Sequence, residues 1–396
     1  MRCPALSDLP PAPSRRKGWP WTEESSQLPD TMPDGCSWPR ISIVTPSFNQ
    51  VEFIEGTIRS VLLQGYPNLE YIVMDGGSTD GSVEVIRKYE PWLAYWVSQA
   101  DQGQAHAIND GFQQVTGEIL SWLNSDDEYC VKTLDFVARS FRKQPDIELL
   151  CGDCEMIDTK GYVIDRIKGR PGDLARLLAG DFIPQPSAFF HRRAWEAVGG
   201  LDTNLHFILD YDLWIRMMLK GVKLQYIPLS LSRFRWHNLS KTRKYPAQFG
   251  FEYLAILERL FQKQANERLN NTKLKAYYLA FSKIAAGYMQ YTEKVKDQHH
   301  EILQALELWI HHLERYHNDY IQAPRIWAES LYHIGQSYCL HDNMKQGRHF
   351  FAMALHANKK AYKALLGWVI ALLGVKAYRW YTRIYRILIQ SLRRLN

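Results

Sequence analysis

Cysteine is scarce in this chain and poorly arranged for metal or disulfide work. Six cysteines, Cys3, Cys36, Cys130, Cys151, Cys154 and Cys339, are scattered over 396 residues. Only Cys151 and Cys154 have CxxC spacing, and no second CxxC or histidine pair stands nearby to complete a zinc site. No apolar core of the kind that marks a secretory leader follows Met1. Scattered thiols without a leader favour a reducing, cytoplasmic compartment. The apolar run Ala364 to Val375 has 12 uncharged residues, whereas a bilayer span needs about 20. Residues 1–39 lack any proline-free stretch that would carry a helix: Pro4, Pro10, Pro11, Pro13, Pro20, Pro29, Pro33 and Pro39 interrupt it. A flexible tail with extended pieces is the expectation there.

What is present starts at residue 40. Ile41 to Thr45, Tyr71 to Met74, Leu93 to Val97 and Ile119 to Leu123 read as strands. Helical patterns follow the first three, at Phe53 to Leu63, Ser82 to Tyr89 and Gln104 to Val115. Repeated strand–loop–helix units predict an α/β domain with a mainly parallel sheet. Such sheets place ligands beyond the carboxyl ends of their strands. Asp75, Asp101 and the adjacent pair Asp126 and Asp127 all fall at that end. Neighbouring carboxylates repel each other unless a cation is close, and hard oxygen ligands suit Mg²⁺ or Mn²⁺. Helix capping explains one such aspartate more easily than the set.

Six strings in order resemble the GT-A glycosyltransferases of family 2. They are TPSFNQ from Thr45, DGGSTDGS from Asp75, DQGQAHAINDGF from Asp101, NSDD from Asn124, LDYDLWIR from Leu209 and FRWHNLSKT from Phe234. The resemblance covers roughly residues 40 to 243. It implies a nucleoside diphosphate sugar donor, of UDP type, and an inverting transfer to a hydroxyl of a glycan or lipid-linked acceptor. By resemblance, Pro46, Ser47, Asn49, Asp75 and Asp101 hold the nucleoside. Asp126 lies nearer the ribose or donor sugar, and Asp127 ligates the divalent metal with His237. Arg235 and Lys241 meet the diphosphate, and Gln185 to Ser187 line the acceptor side. Asp210 is the candidate base that deprotonates the acceptor, although Leu209 stands where the family more often has Glu. Asp212 has Arg216 at i+4 and reads as structural.

Two other readings stay open. A nucleotidyltransferase also binds metal on aspartates, but TPSFNQ lacks the Gly-rich, Lys/Arg-bearing phosphate loop of that class. A non-catalytic binding protein would rely on the helical residues downstream.

From about Tyr245 the strand-like runs stop, and Phe251 to Leu269, Lys273 to Lys294, His300 to Tyr316 and Pro324 to Leu340 read as helices. Ile334, Gly335, Tyr338, Gly347, Phe351 and Ala354 resemble one tetratricopeptide unit, without its Trp and Pro. Docking or homo-oligomer formation competes here with plain scaffold packing. The chain thus divides into 1–39, 40–244, 245–362 and 363–396. The last part has seven basic residues, Lys363, Lys376, Arg379, Arg383, Arg386, Arg393 and Arg394, and no acidic one. The net charge of the whole chain is +6, so removing +7 leaves about −1. On a helix the basic residues from Lys376 share one sector, and Trp380, Ile384, Ile387, Leu388 and Leu395 lie beside it. An anionic membrane surface reached through 376–396, peripheral on the cytoplasmic face, fits that pattern. A protein partner or the chain's own domain is the rival. With no basic excess elsewhere, nucleic acid has little support.

Overall fold

The computed structural model describes residues 1–178, 180–238, 240–261, 273–281, 299–340, 343–358, 360–374 and 378. The chain forms two compact units, one of residues 1–177 and 181–240, the other of 178–180 and 241–396.

The first unit is built on β1 (Ile41–Ser47), β2 (Leu69–Asp75), β3 (Tyr95–Ser98) and β4 (Ile119–Trp122), crossed by α1 (Ile54–Leu62), α2 (Ser82–Lys88) and α3 (Gln104–Gln114). These four strands pair in parallel, in the order β3-β2-β1-β4. All of β1 is buried, as expected of a strand covered on both faces. The sheet then becomes mixed. Its order continues β8 (Ala188–His191), β6 (Leu149–Ile157), β9 (Leu224–Arg235) and β5 (Glu128–Tyr129), with β7 (Val163–Ile167) beside β6. The expected α/β architecture is present, and the antiparallel part was not foreseen.

Strand alternation divides the core. Ile41, Ile43, Tyr71 and Val73 join Ile58, Val61 and Leu62 of α1 on one face. On the other, α3 comes so close to β1 that a Cβ at Gly111 would lie 2.6 Å from Val44 Cγ1. An aromatic cluster fills the rest of that face. Trp122 stacks on Trp214 at 5.8 Å, and Phe112 meets Trp195 edge-on at 4.5 Å.

The first 39 residues are not the flexible tail their prolines suggested. Cys3, Leu9, Trp19, Met32 and Trp38 belong to the same buried core. Backbone bonds tie Cys3 to Tyr66, Ser25 to Leu63 and Leu28 to Gly65. Buried Arg59 donates to the carbonyls of Pro10, Pro20 and Trp21. Proline forbids a helix but not burial, and here a guanidinium satisfies carbonyls that an irregular segment leaves over.

The second unit is helical. Its described helices include Pro246–Phe261, 273–281, His299–Arg315, Pro324–Leu340, Met344–Ala357 and Tyr362–Leu372. Pro324–Leu340 and Met344–Ala357 form a hairpin that crosses at two glycines. A Cβ at Gly335 would lie 2.9 Å from the Gly347 carbonyl, and one at Gly347 would lie 2.1 Å from Cys339 Sγ. Apart from Tyr378, residues 375–396 lie outside the described residues, and with them most of the basic segment. No described helix is long and apolar enough to cross a membrane.

Candidate active site

The strand register puts Ser47, Asp75 and Ser98 side by side at the carboxyl ends of β1, β2 and β3. Asp75 is buried. Its carboxylate accepts from Ser78 N at 2.9 Å, Ser78 Oγ at 2.6 Å, Ser98 Oγ at 2.7 Å and Gly77 N at 3.2 Å. It therefore sets the shape of its own loop. Asn49 has a left-handed backbone, φ 52°, and its side chain accepts from Thr79 N at 3.0 Å. That bond locks the loop after Pro46 and Ser47 to the loop after Asp75. Asp101 comes from the next strand end. A Cβ at Gly76 would lie 2.9 Å from Asp101 Oδ2 and 3.3 Å from the Phe48 ring. A larger residue at Gly76 would have to displace the Asp101 carboxylate or the Phe48 ring. They leave Phe48 60% exposed and the buried Ser47 Oγ without a hydrogen-bond partner.

The paired aspartates follow β4 and face in different directions. Asp127 is fully buried. Its Oδ1 accepts from Arg235 N at 3.0 Å, and its carbonyl accepts from Thr57 Oγ1 at 2.7 Å. Burial, with the Asp126 charge beside it, pushes its pKa well above the usual carboxylate range, against the pull of Arg235. Asp126 is partly exposed, and its Oδ2 lies 2.9 Å from His237 Nε2. The His237 ring packs on Phe53 at 4.8 Å.

Arg235 is buried and fully engaged. It donates to the carbonyls of Asp126 and Asp158, both at 2.9 Å, pairs with buried Glu128, and lies over the Phe53 ring. Each of its three side-chain nitrogens thus has a protein partner, and the side chain braces the aspartate loop. A neutral network continues the floor of the site. Gln104 Nε2 donates to Asn124 Oδ1 at 2.8 Å, Asn124 Nδ2 to Gln185 Oε1 at 3.2 Å, and Gln185 Nε2 to the Trp122 carbonyl at 2.9 Å.

Asp210 lies in the first turn of α7 (Leu209–Leu219) and is partly exposed. Its Oδ1 accepts from Tyr211 N at 2.9 Å. One turn on, Trp214 stacks on Trp122, so α7 docks at the strand end that leads to Asp126. The expected pairing of Asp212 with Arg216 is present at 2.6 Å. Lys241 falls in the second unit.

The structure thus joins Asp126 to His237, sets Asp75 and Asp101 at neighbouring loops, and turns Asp127 and Arg235 inward. Sequence reasoning missed Phe53, Gln104 and Glu128. Gln104 lay within a quoted string and Glu128 directly follows the aspartate pair, but neither spacing announced a role. Among the described residues no group of three His, Cys, Asp or Glu side chains is gathered to hold a metal. The Asp126–His237 pair does fit part of one. Neighbouring ligands on an octahedral ion with bonds of about 2.1 Å stand about 3 Å apart, and diphosphate and water oxygens ordinarily complete such a shell.

The family model "Glycosyl transferase family 2" matches residues 42–198. An uncharacterised glycosyltransferase of Mycobacterium tuberculosis is 32% identical over 192 residues, which are 46% of this chain and 70% of that protein. The chain belongs to glycosyl transferase family 2. An uncharacterised glycosyltransferase of Rickettsia typhi is 28% identical over 194 residues, 46% of this chain and 59% of that protein. Among solved structures, Staphylococcus aureus TarS 1-349 superposes with a TM-score of 0.50 at 15% identity, over 86% of this chain and 91% of that chain. That likeness carries the fold, an α/β GT-A domain followed by helices. Family membership makes this family-2 chain a glycosyltransferase and sets aside the nucleotidyltransferase and non-catalytic readings. The matched family region ends before α7 and β9, so Asp210 and His237 lie outside it.

Proposed function

We propose that this glycosyltransferase moves a sugar, with inversion, from a uridine diphosphate sugar to a hydroxyl of a glycan or lipid-linked acceptor. The observation that carries the reading is the Asp126–His237 pair at 2.9 Å, set beyond the strand ends beside the Asp75 and Asp101 loops. TarS, which shares the fold, has been solved with UDP-GlcNAc. In this reading the Pro46 to Asn49 loop, Asp75 and Asp101 enclose the nucleoside, and the exposed Phe48 ring offers a stacking face.

The metal roles of the two aspartates differ from the sequence expectation. Asp126 and His237 are the ligands in this proposal, because their polar atoms face each other and Asp126 reaches solvent. Asp127 acts through position, by holding the Arg235 backbone. A divalent cation, Mn²⁺ or Mg²⁺, supplies charge neutralisation to the departing diphosphate when bound there. Asp210 takes the proton of the acceptor hydroxyl. The acceptor oxygen bonds to the anomeric carbon, the bond from that carbon to the diphosphate oxygen breaks, and nucleoside diphosphate leaves with the electron pair.

Calorimetric binding of UDP-sugars, with and without Mn²⁺, tests the assignment. Asp126→Asn and His237→Ala are expected to weaken Mn²⁺-dependent donor binding by more than about tenfold. Asp127→Asn, which keeps the side chain's size and its acceptor oxygen for the Arg235 N–H, is expected to bind near wild type. The opposite pattern would return the metal to Asp127, and release of pyrophosphate on turnover would refute the transfer itself.

A further inference from the structure

The segments that carry Asp126 and His237 are fastened together two residues away on each chain. Glu128 follows Asp126 by two positions, and Arg235 precedes His237 by two. Their side chains form an ion pair in which each partner is 4% exposed. Arg235 Nε donates to the Asp126 carbonyl and Nη1 to that of Asp158, both at 2.9 Å, and Nη2 donates to Glu128. The guanidinium also lies 5.2 Å over Phe53, the ring on which His237 packs. Glu128 is thus the carboxylate that balances this buried cation. Its second oxygen is 3.8 Å from Arg233. From there the charges alternate through Glu155 to Arg166, one residue on each of β9, β6 and β7. Along this row side-chain exposure rises from 4% at Glu128 to 63% at Arg166. The inner end bears on the aspartate loop and the outer end on the β6–β7 hairpin. Glu128 also meets the first turn of α1, where a Cβ at Gly56 would lie 3.1 Å from Oε1.

A buried cation that loses its counter-charge moves toward water or another acceptor. Movement of Arg235 would free the Asp126 carbonyl and shift the strand end that carries His237. We infer that Glu128 is a positioning residue for the divalent cation. Through Arg235 it holds Asp126 and His237 at the 2.9 Å separation that two neighbouring ligands need. Both Glu128 oxygens face guanidinia, so its action on the site passes through Arg235. The inference rests on the metal reading proposed above and adds to it a residue that touches neither metal nor donor.

Calorimetric titration of the full chain with UDP, with and without Mn²⁺, separates this role from simple support of the fold. The quantity read is the gain in UDP affinity that Mn²⁺ brings. Glu128→Gln keeps the side chain's size and removes its charge. It is expected to cut that gain by about tenfold or more, with metal-free UDP binding unchanged. A merely structural brace would lower the melting temperature and leave the gain at its wild-type value. Glu155→Gln, farther out along the row, is expected to keep the gain. Gly56→Ala decides the matter if Glu128→Gln does not fold. Alanine suits the helix, but its Cβ crowds Glu128, so a smaller loss of the same gain is expected. A wild-type gain in Glu128→Gln, or in Gly56→Ala where Glu128→Gln does not fold, overturns the inference. An equal loss in Glu155→Gln overturns it too, because the row as a whole would then be the cause. In these cases Asp126→Asn still loses the gain. If the wild-type chain shows no gain, or Asp126→Asn keeps it, the metal reading itself fails and this inference falls with it.

Discussion

In the sheet unit large side chains point inward, and the polar groups collect on loops at one end of the strands. In the helical unit the helix Tyr362–Leu372 buries Ala364, Gly367 and Ala371 and leaves leucines outside. The two regions also differ in where buried charge is found. Glu128, Arg235, Asp127 and His237 are buried together in the sheet unit and joined by hydrogen bonds. The helical unit buries His312 among the rings of Tyr277, Phe281 and Tyr316. A connected polar network keeps one geometry, and in this chain it surrounds the aspartates at the strand ends.

The largest expected effect comes from the candidate base. Asp210→Asn should lower turnover by about 10²- to 10⁴-fold with donor affinity unchanged, measured by nucleoside diphosphate release. Wild-type turnover in this variant would move the base elsewhere and weaken the claim that the sheet unit is complete as a reaction centre.

Trp38 tests whether the first 39 residues belong to the sheet unit. It is buried, donates to the Pro29 carbonyl at 2.9 Å and meets Tyr66 edge-on at 5.5 Å. Trp38→Ala should cost about 3–5 kcal/mol in urea unfolding. A flexible tail would make the substitution silent.

The smallest effect is a difference in acid response. Burial lowers His312 to about 3 and His333 to about 4, from 6.5. Unfolding lets both take protons, so the helical unit should lose stability as pH falls below 6.5, by up to about 1.4 kcal/mol per pH unit for each group. Glu70 in the sheet unit works in a lower window. Burial pushes its pKa up, but donors from Ser42, Thr116 and Gly117 outweigh that and hold the pKa below its ordinary value of 4.5. Its contribution is intact above 4.5 and lost only as pH falls through its lower folded value. Calorimetric melting at pH 7 and pH 5 should show the helical transition moving down while the sheet transition, whose buried Asp127 binds a proton more readily when folded, does not fall. Equal shifts in both would break the comparison.

Much of the site could be read before the fold was known. The apolar runs ending in Ser47, Asp75 and Trp122 appear as strands close to where the pattern put them, because fully buried parallel strands are short and nearly all apolar. The aspartates at their ends were legible for the same reason. The i,i+4 pair Asp212–Arg216 was legible because helix geometry is local. Arg235 was not. Its type suited a diphosphate, and only the approach of β9 to the Asp126 loop turns its donors inward. The burial of Trp19 and Trp38 was hidden too, since proline density speaks to helix formation and not to what a segment packs against.

The sequence by itself determined the strand–loop–helix order, the carboxylates at the strand ends, the change to helices near Tyr245 and the one-signed charge of residues 363–396. Each of these follows from local periodicity or composition. Tertiary structure decided which of the two aspartates meets His237, which cation is buried as a brace, and which face of Tyr362–Leu372 meets the solvent. Those outcomes depend on contacts between residues more than 100 positions apart, such as Asp126 with His237, or on a single close approach such as Gly367 to Phe351. No local pattern encodes them, because burial and pairing belong to the packed whole.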